Sequence, residues 1–432
     1  MKKALLISTA VVVAIGAAGA GAMYLVDGQI DNAISQLESQ IPAPMTLSVV
    51  SDSSSFTDRQ LVLKVGMELE GESVYVLLNN DIQKRPWGTS IEHALTLDPT
   101  LIELVDDEQA AAFLSTNFVN SPMLAGHTSV SMMGSYQSNL ASFSVNETLG
   151  DVNVVFTPWT IQANGNASGN IELTSNWNGF TLVSADEYQE MNFNWQPMKI
   201  MADGKYHQGS TFVGKQTVTG GGASFVMDDG YDSANFQMGP FSMVSNGDLV
   251  SDRYKGDFRW DTESVSFNAD GSVFTLNDLV FSMNMSGFEI NNFTDLSQEL
   301  NAMSTAGSLE PSPEVIRMAN VVLQDGFSIG IPEFSAKVDG KTAKMSFMAS
   351  LPQNEIADLG NPFSLMGLIP TVVAQADLLI HKDIANMPEV SEQVFSLMMM
   401  GALMEEGDNY VMSASFENGA AKLNGQPMPL PF

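Results

Sequence analysis

From Gln60 onward the chain alternates. Leu61, Leu63, Val65, Met67 and Leu69 are interleaved with Val62, Lys64, Gly66, Glu68 and Glu70, and a period of two places successive side chains on opposite faces of a half-buried strand. Further short strand-like runs follow at Val152–Thr157, Asn170–Thr174, Met191–Trp195, Thr211–Val218, Ser224–Met227, Ser264–Asn268 and Ser272–Met283. Between or beside them lie the turn-favouring pairs Asn164-Gly165, Asn178-Gly179, Asp229-Gly230, Asn246-Gly247 and Asp270-Gly271. Many short strands separated by tight turns imply an antiparallel sheet over Gln60–Asn291. A loose internal similarity supports repetition within it: Phe236-Gln-Met238 leads to Phe241-Ser-Met243, and Phe274-Thr-Leu276 leads to Phe281-Ser-Met283.

Such a sheet needs a core rather than staples. The chain has 432 residues and no cysteine, so disulfides, thiolate metal sites and a cysteine nucleophile are excluded, and the length suffices for a substantial apolar interior. Fifty acidic residues against 18 basic ones give a net charge of −32. That field repels phosphodiester backbones, which are bound through Lys and Arg, so no nucleic-acid partner is expected. Its simplest role is to keep the chain soluble. The 27 methionines are unbranched side chains that fill irregular cores or line adaptable apolar surfaces.

At the N-terminus Lys2 and Lys3 precede an apolar stretch, Ala4–Val26, and Asp27, Asp31 and Glu38 follow it. The stretch is long enough for one membrane-spanning helix, with the positive charge left inside and the body on the far side. A cleaved signal peptide is the alternative, with Ala18-Gly19-Ala20 or Ala20-Gly21-Ala22 as the cleavage site. Against cleavage, apolar character resumes at Met23, Tyr24, Leu25 and Val26. Ile30, Ala33, Ile34, Leu37 and Ile41 then form one helical stripe ended by Pro42 and Pro44, a stalk over 27–45.

After Asn291 helical spacing returns. Leu296, Leu300 and Met303 mark one short helix. Ser312 as N-cap, Pro313 as first residue, Val315, Met318, Ala319 and Val322 as apolar face and Gly326 as stop mark a second. Phe327–Val338 and Ala343–Leu351 read as a hairpin through Asp339-Gly340. The chain closes with a strand at Gln375–His381, a helix carrying Val390, Val394, Leu397 and Met398, and a hairpin through Asn418-Gly419. The expected fold is α+β and mainly β: an extended curved antiparallel sheet over 46–291, a C-terminal α+β region over 292–432, and the N-terminal transmembrane helix.

The run Phe327-Ser-Ile-Gly-Ile-Pro-Glu-Phe-Ser335, the strand Ala376-Asp-Leu-Leu-Ile380 and the ending Ser413-Ala-Ser-Phe-Glu-Asn-Gly-Ala-Ala-Lys-Leu-Asn-Gly-Gln-Pro-Met428 resemble the YdgA-like family of bacterial envelope proteins (domain of unknown function 945, DUF945). The resemblance is clearest from Ser312 to the end, and it implies an envelope location and this architecture. It implies no reaction. Where members of that family often carry His-Gly-Pro-Phe, this chain reads Lys84-Arg85-Pro86-Trp87-Gly88, with His93 further on. Any role of that motif is therefore not transferred.

No catalytic constellation emerges. His93, His127, His207 and His381 are far apart and unpaired at i+4. No Gly-x-Ser-x-Gly elbow occurs. Gly340-Lys341-Thr342 ends like a phosphate loop, yet Ser335 stands where its first glycine belongs. Asp228-Asp229-Gly230-Tyr231-Asp232 departs from calcium-loop spacing and reads as a turn. No catalytic residue, metal ligand or cofactor is assigned.

Two expectations of function remain, with an envelope hydrolase unsupported. One is a non-enzymatic binder of a hydrophobic or lipid envelope component, whose apolar sheet face includes Phe236, Met238, Phe274, Leu276, Phe281 and Met283. The other is an envelope scaffold that meets a membrane-protein partner through its anchor, where Gly16, Ala17, Ala20 and Gly21 permit close helix packing.

Overall fold

The computed structural model describes residues 45–69, 72–105, 108–185, 190–207, 211–228, 233–269, 272–305 and 311–428. The N-terminal apolar stretch, the stalk helix and the pairs Asp229-Gly230 and Asp270-Gly271 lie outside the described residues. Among the described residues no helix is long and apolar enough to cross a membrane. The chain divides into two units, Met1–Gly209 and Ser210–Phe432, a boundary inside the stretch read as one β-rich body.

The first unit contains β1 (Met45–Ser54), β2 (Asp58–Leu69), β3 (Glu72–Arg85), β4 (Gly88–Leu97), β5 (Leu124–Ser131), β6 (Ser135–Ser142), β7 (Val145–Leu149), β8 (Val152–Phe156), β9 (Trp159–Asn166), β10 (Asn170–Trp177), β11 (Phe180–Ala185), β12 (Glu190–Trp195) and β13 (Met198–His207). Antiparallel pairing runs β1-β2-β3-β4-β5-β6-β9-β10-β13. A second run, β7-β8-β11-β12, pairs separately. Each arm of these hairpins therefore changes sheet at a short break, at residues 143–144, 157–158, 178–179 and 196–197. Pro158 and Pro197 fit there because proline cannot donate to a ladder. Aromatic rings beside the breaks touch in sequence, Phe143–Phe156 at 4.8 Å, Phe156–Trp177 at 5.7 Å and Trp177–Trp195 at 6.2 Å, and fill the bend between the sheets.

Strand does not cover this unit throughout. A 3-10 segment Pro99–Leu104, the helix α1 (Glu108–Leu114) and a π-helical turn Ser115–Val119 separate β4 from β5, where the reading of a mostly antiparallel β-rich body marked no helix. Asp98 begins the excursion by accepting from the Thr100 N–H at 3.0 Å. Leu101, Phe118 and Met123 then join Leu95, Leu97, Leu78 and Leu63 in the largest buried cluster. The turns cap one end of the sheet's apolar face.

The second unit contains β14 (Thr211–Gly220), β15 (Ala223–Asp228), β16 (Ser233–Met238), β17 (Phe241–Val250), β18 (Arg253–Ala269), β19 (Ser272–Glu289), β20 (Phe327–Val338), β21 (Lys341–Leu351), β22 (Val373–His381), β23 (Met404–Glu406), β24 (Asn409–Glu417), β25 (Ala420–Leu423) and β26 (Gln426–Met428). Its helices are α2 (Ile290–Thr305), α3 (Pro313–Asp325), α4 (Pro362–Leu368), α5 (Lys382–Ala385) and α6 (Pro388–Met399). The main sheet runs β14-β17-β18-β19-β20-β21-β22-β24. β15 and β16 continue it past a bend, pairing with the far end of β18.

The capping signals act where they stand in the sequence. Ser312 Oγ accepts from the Val315 N–H at 3.1 Å, Pro313 opens α3, and Gly326, at φ 74°, ends it. The β20–β21 turn puts Asp339 at φ 49° and Gly340 at φ 75°, as a two-residue hairpin requires. Two Asn-Gly pairs differ from their reading as turns: Asn164-Gly165 lies inside β9 and Asn246-Gly247 inside β17. A Cβ at Gly165 would stand 2.4 Å from the Tyr136 hydroxyl, and one at Gly247 would stand 2.9 Å from that of Tyr254. These glycines make room for a neighbouring ring rather than a reversal of the chain.

Candidate functional site

Register sorts the main sheet of the second unit into two unlike faces. Val218 (β14), Met243 (β17), Trp260 (β18), Phe281 (β19), Phe334 (β20), Met345 (β21), Leu378 (β22) and Met412 (β24) are successive cross-strand partners. Directly opposed residues share a face. At about 4.8 Å per strand this lane is roughly 34 Å long. One step along the strands, Phe258 opposes Met283, and Phe347 opposes Ile331 and Ala376, which in turn opposes Ala414. A further step brings Met285, Ile329, Ala349, Ala374 and Phe416. None of these residues is charged.

The charge lies on the other face. Arg259 Nη1 is 3.4 Å and Lys344 Nζ 3.7 Å from the carboxylate of Glu333, and Ser282, Asp377 and Ser413 share that side by register.

Helices wall the apolar face at two places. Val394 of α6 and Ile380 of β22 are buried in one cluster, against which Leu397, Leu378, Tyr410 and Met412 pack half-buried. Leu368 of α4 and Leu323 of α3 form another with Phe327 and Leu351. Between the walls Ile329, Phe334, Met345 and Phe347 remain 37–44% exposed. A contiguous apolar surface of this kind, rimmed by ordered structure, marks a ligand or partner site more often than chance exposure does.

Of the residues singled out in the sequence, register puts two on this trough and the other four farther along the strands. Phe281 and Met283 lie on its floor. Leu276 packs with the α6 cluster. Beyond the bend, Phe236 and Phe274 both oppose Phe267, and Met238 and Leu276 both oppose Val265. The internal similarity thus reflects two strand segments flanking β18. Its uneven spacing arises because Phe241 and Leu279 meet the same partner, Thr262, so Phe281 stands two residues past the position that answers Phe241. Met345, Phe347 and Leu378 were not identified in the sequence, although Ala343, Met345 and Phe347 alternate with Thr342, Lys344 and Ser346.

The first unit holds a different arrangement, a row of buried polar groups. His93 Nδ1 lies 2.7 Å from Asn80 Oδ1, His93 Nε2 lies 2.8 Å from Thr128 Oγ1, and Thr128 Oγ1 lies 2.9 Å from Ser138 Oγ. The Asn80 amide nitrogen donates to the carbonyls of Leu61 and Leu78 at 3.3 Å, which turns its oxygen toward the ring. The ring then donates through Nδ1 to Asn80 Oδ1, while Nε2 faces the Thr128 hydroxyl, whose own proton is donated to Ser138 Oγ. Burial lowers the His93 pKa from 6.5 to about 4, the Glu92 carboxylate opposing and His127 reinforcing the shift. The connectivity is that of a hydroxyl nucleophile, a base and an orienting amide. Thr128 is 0% exposed, however, so no substrate reaches it, and the row ties β3, β4, β5 and β6 together.

The remaining chemistry is dispersed. His127 pairs with Glu92 at 2.9 Å, and His381 accepts from the Asp383 N–H at 3.1 Å to cap α5. Among the described residues no three potential metal ligands converge. Gly340-Lys341-Thr342 belongs to the β20–β21 hairpin, and Pro86-Trp87 forms the turn between β3 and β4.

No curated protein and no solved structure matches the chain. A family model described as a bacterial protein of unknown function (DUF945) matches residues 1–431, and the chain belongs to that family.

Proposed function

We propose that this chain is a non-enzymatic binder of acyl chains in the bacterial envelope, held at the inner membrane by Ala4–Val26 with its body in the periplasm. The observation that carries the binding reading is the uncharged apolar lane left half-open between α4 and α6. Leu378 and Met412 lie under α6, and the remaining lane from Val218 to Met345, roughly 24 Å, still exceeds the ~15 Å thickness of one hydrocarbon leaflet, so an extended acyl chain fits across the strands. Met and Phe suit such a ligand, because their side chains offer dispersion contacts without a fixed hydrogen-bond pattern. The polar end of the ligand would stay outside, since the floor offers no cation to hold it. Support for the location is the charge order around the N-terminal segment, with Lys2 and Lys3 before it and Asp27, Asp31 and Glu38 after it.

The test is recovery of lipid with the protein. After purification from membranes in a mild detergent, extraction and mass spectrometry should yield acyl lipid in near-stoichiometric amount. Protein that emerges folded and free of acyl lipid, and takes up none when fatty acid is added back, contradicts the reading.

A further inference from the structure

We propose that the outer sides of the two helical walls form a membrane-docking rim that seats the second unit on a zwitterionic bilayer surface, from which an acyl chain enters the trough. The inference rests on the acyl-binding reading and adds the surface that supplies the ligand.

On α6 the side holding Val394 and Leu397 is occupied by the sheet. The opposite side of a surface helix is ordinarily polar. Here its last turn instead presents Phe395, Met399 and Met400, exposed by 62–73%, and α4 presents Phe363 and Met366, exposed by 59–82%. Single exposed apolar residues are ordinary. Two clusters, one on each wall of the same apolar trough, are not accounted for by packing within the unit.

Charge selects the kind of surface. No Lys or Arg occurs between Lys344 and Lys382 or between Lys382 and Lys422, while Glu355, Asp358, Glu392, Glu405, Glu406 and Asp408 do occur there. Docking on anionic lipid depends on basic residues near the surface, and these segments would be repelled by it. A zwitterionic headgroup layer imposes no such cost. Unbranched Met side chains also suit a fluid surface better than one partner of fixed shape.

Because the chain has no cysteine, Met399→Cys in the full-length protein provides a unique attachment point for an environment-sensitive fluorophore, and Ser413→Cys on the charged face of the sheet a control. Both variants are reconstituted through their own N-terminal segment into phosphatidylcholine vesicles, or into vesicles rich in phosphatidylglycerol. The expected result is a blue shift at position 399 with loss of emission to lipid-borne quenchers in phosphatidylcholine, a weaker effect in phosphatidylglycerol, and none at position 413. No quenching at 399 in either vesicle overturns the rim. A blue shift that needs only high protein concentration and no lipid also overturns it, in favour of a second copy of the chain. Uptake of a photoreactive fatty acid by the same samples separates the two readings. Uptake without quenching removes the rim alone, and quenching without uptake removes the acyl-binding reading.

Discussion

Phe347→Asp is expected to weaken binding of a fatty-acid probe by about 100-fold, roughly 3 kcal/mol, while the protein stays folded. Phe347 stands on the open floor of the trough and is 38% exposed, so a carboxylate there remains hydrated when the trough is empty. It loses that water only when an acyl chain covers it. Ile380→Asp is the matched control, because Ile380 is buried in the cluster under α6. An unpaired charge there costs several kcal/mol in stability whether or not ligand is present. Thermal melts and probe titrations of both variants decide the matter. Equal destabilisation by the two would show that the whole face is core, and the trough reading would fail.

The second large effect is on pH. Lowering the pH from 7 to 4 is expected to remove about 3 kcal/mol of stability from the first unit through His93 alone, since a shift of one pKa unit corresponds to about 1.4 kcal/mol. In the folded state His93 titrates at about 4 rather than 6.5. Between those values the unfolded chain binds a proton that the folded chain does not, so stability falls as pH falls. The loss begins below pH 6.5 and is complete near pH 4. Protonation of the many carboxylates acts at the same time and, in a chain of net charge −32, relieves repulsion. The His93 contribution is therefore read as the difference between the parent and His93→Gln in denaturant melts at pH 7, 5.5 and 4. Parallel pH dependence of the two proteins would contradict it.

Local features were legible where one short segment contains the whole cause. Ser312, Pro313 and Gly326 delimit α3 because a cap needs only its own neighbours, and Asp339-Gly340 makes its turn for the same reason. The Asn-Gly pairs at 164–165 and 246–247 misled because turn chemistry and close approach both select glycine. Only the positions of Tyr136 and Tyr254 distinguish the two. The α1 region was hidden by a period-two pattern on both sides of it, although Gln109-Ala110-Ala111-Ala112 favours helix.

The sites were less legible than the elements. The trough joins residues from strands as distant as β14 and β24, and only register places Val218 and Met412 in the same lane. The buried row is hidden likewise, since Asn80, His93, Thr128 and Ser138 come together through three strand pairings. The walls carried a readable signal that was missed. In α6 the stripe Val390, Val394, Leu397 and Met398 suffices for burial, so Phe395, Met399 and Met400 are apolar residues in excess of what packing requires.

The most direct measurement is the mapping of contacts made by a bound chain. Full-length protein in phosphatidylcholine vesicles is loaded with a diazirine-bearing fatty acid, irradiated, digested and sequenced by mass spectrometry. Acyl-chain binding in the trough predicts adducts on the floor, at Met283, Met345, Phe347 and their neighbours in β19, β21 and β22, with competition by unlabelled fatty acid. Adducts confined to the N-terminal segment, or spread equally over the charged face at Arg259, Lys344 and Asp377, would contradict it.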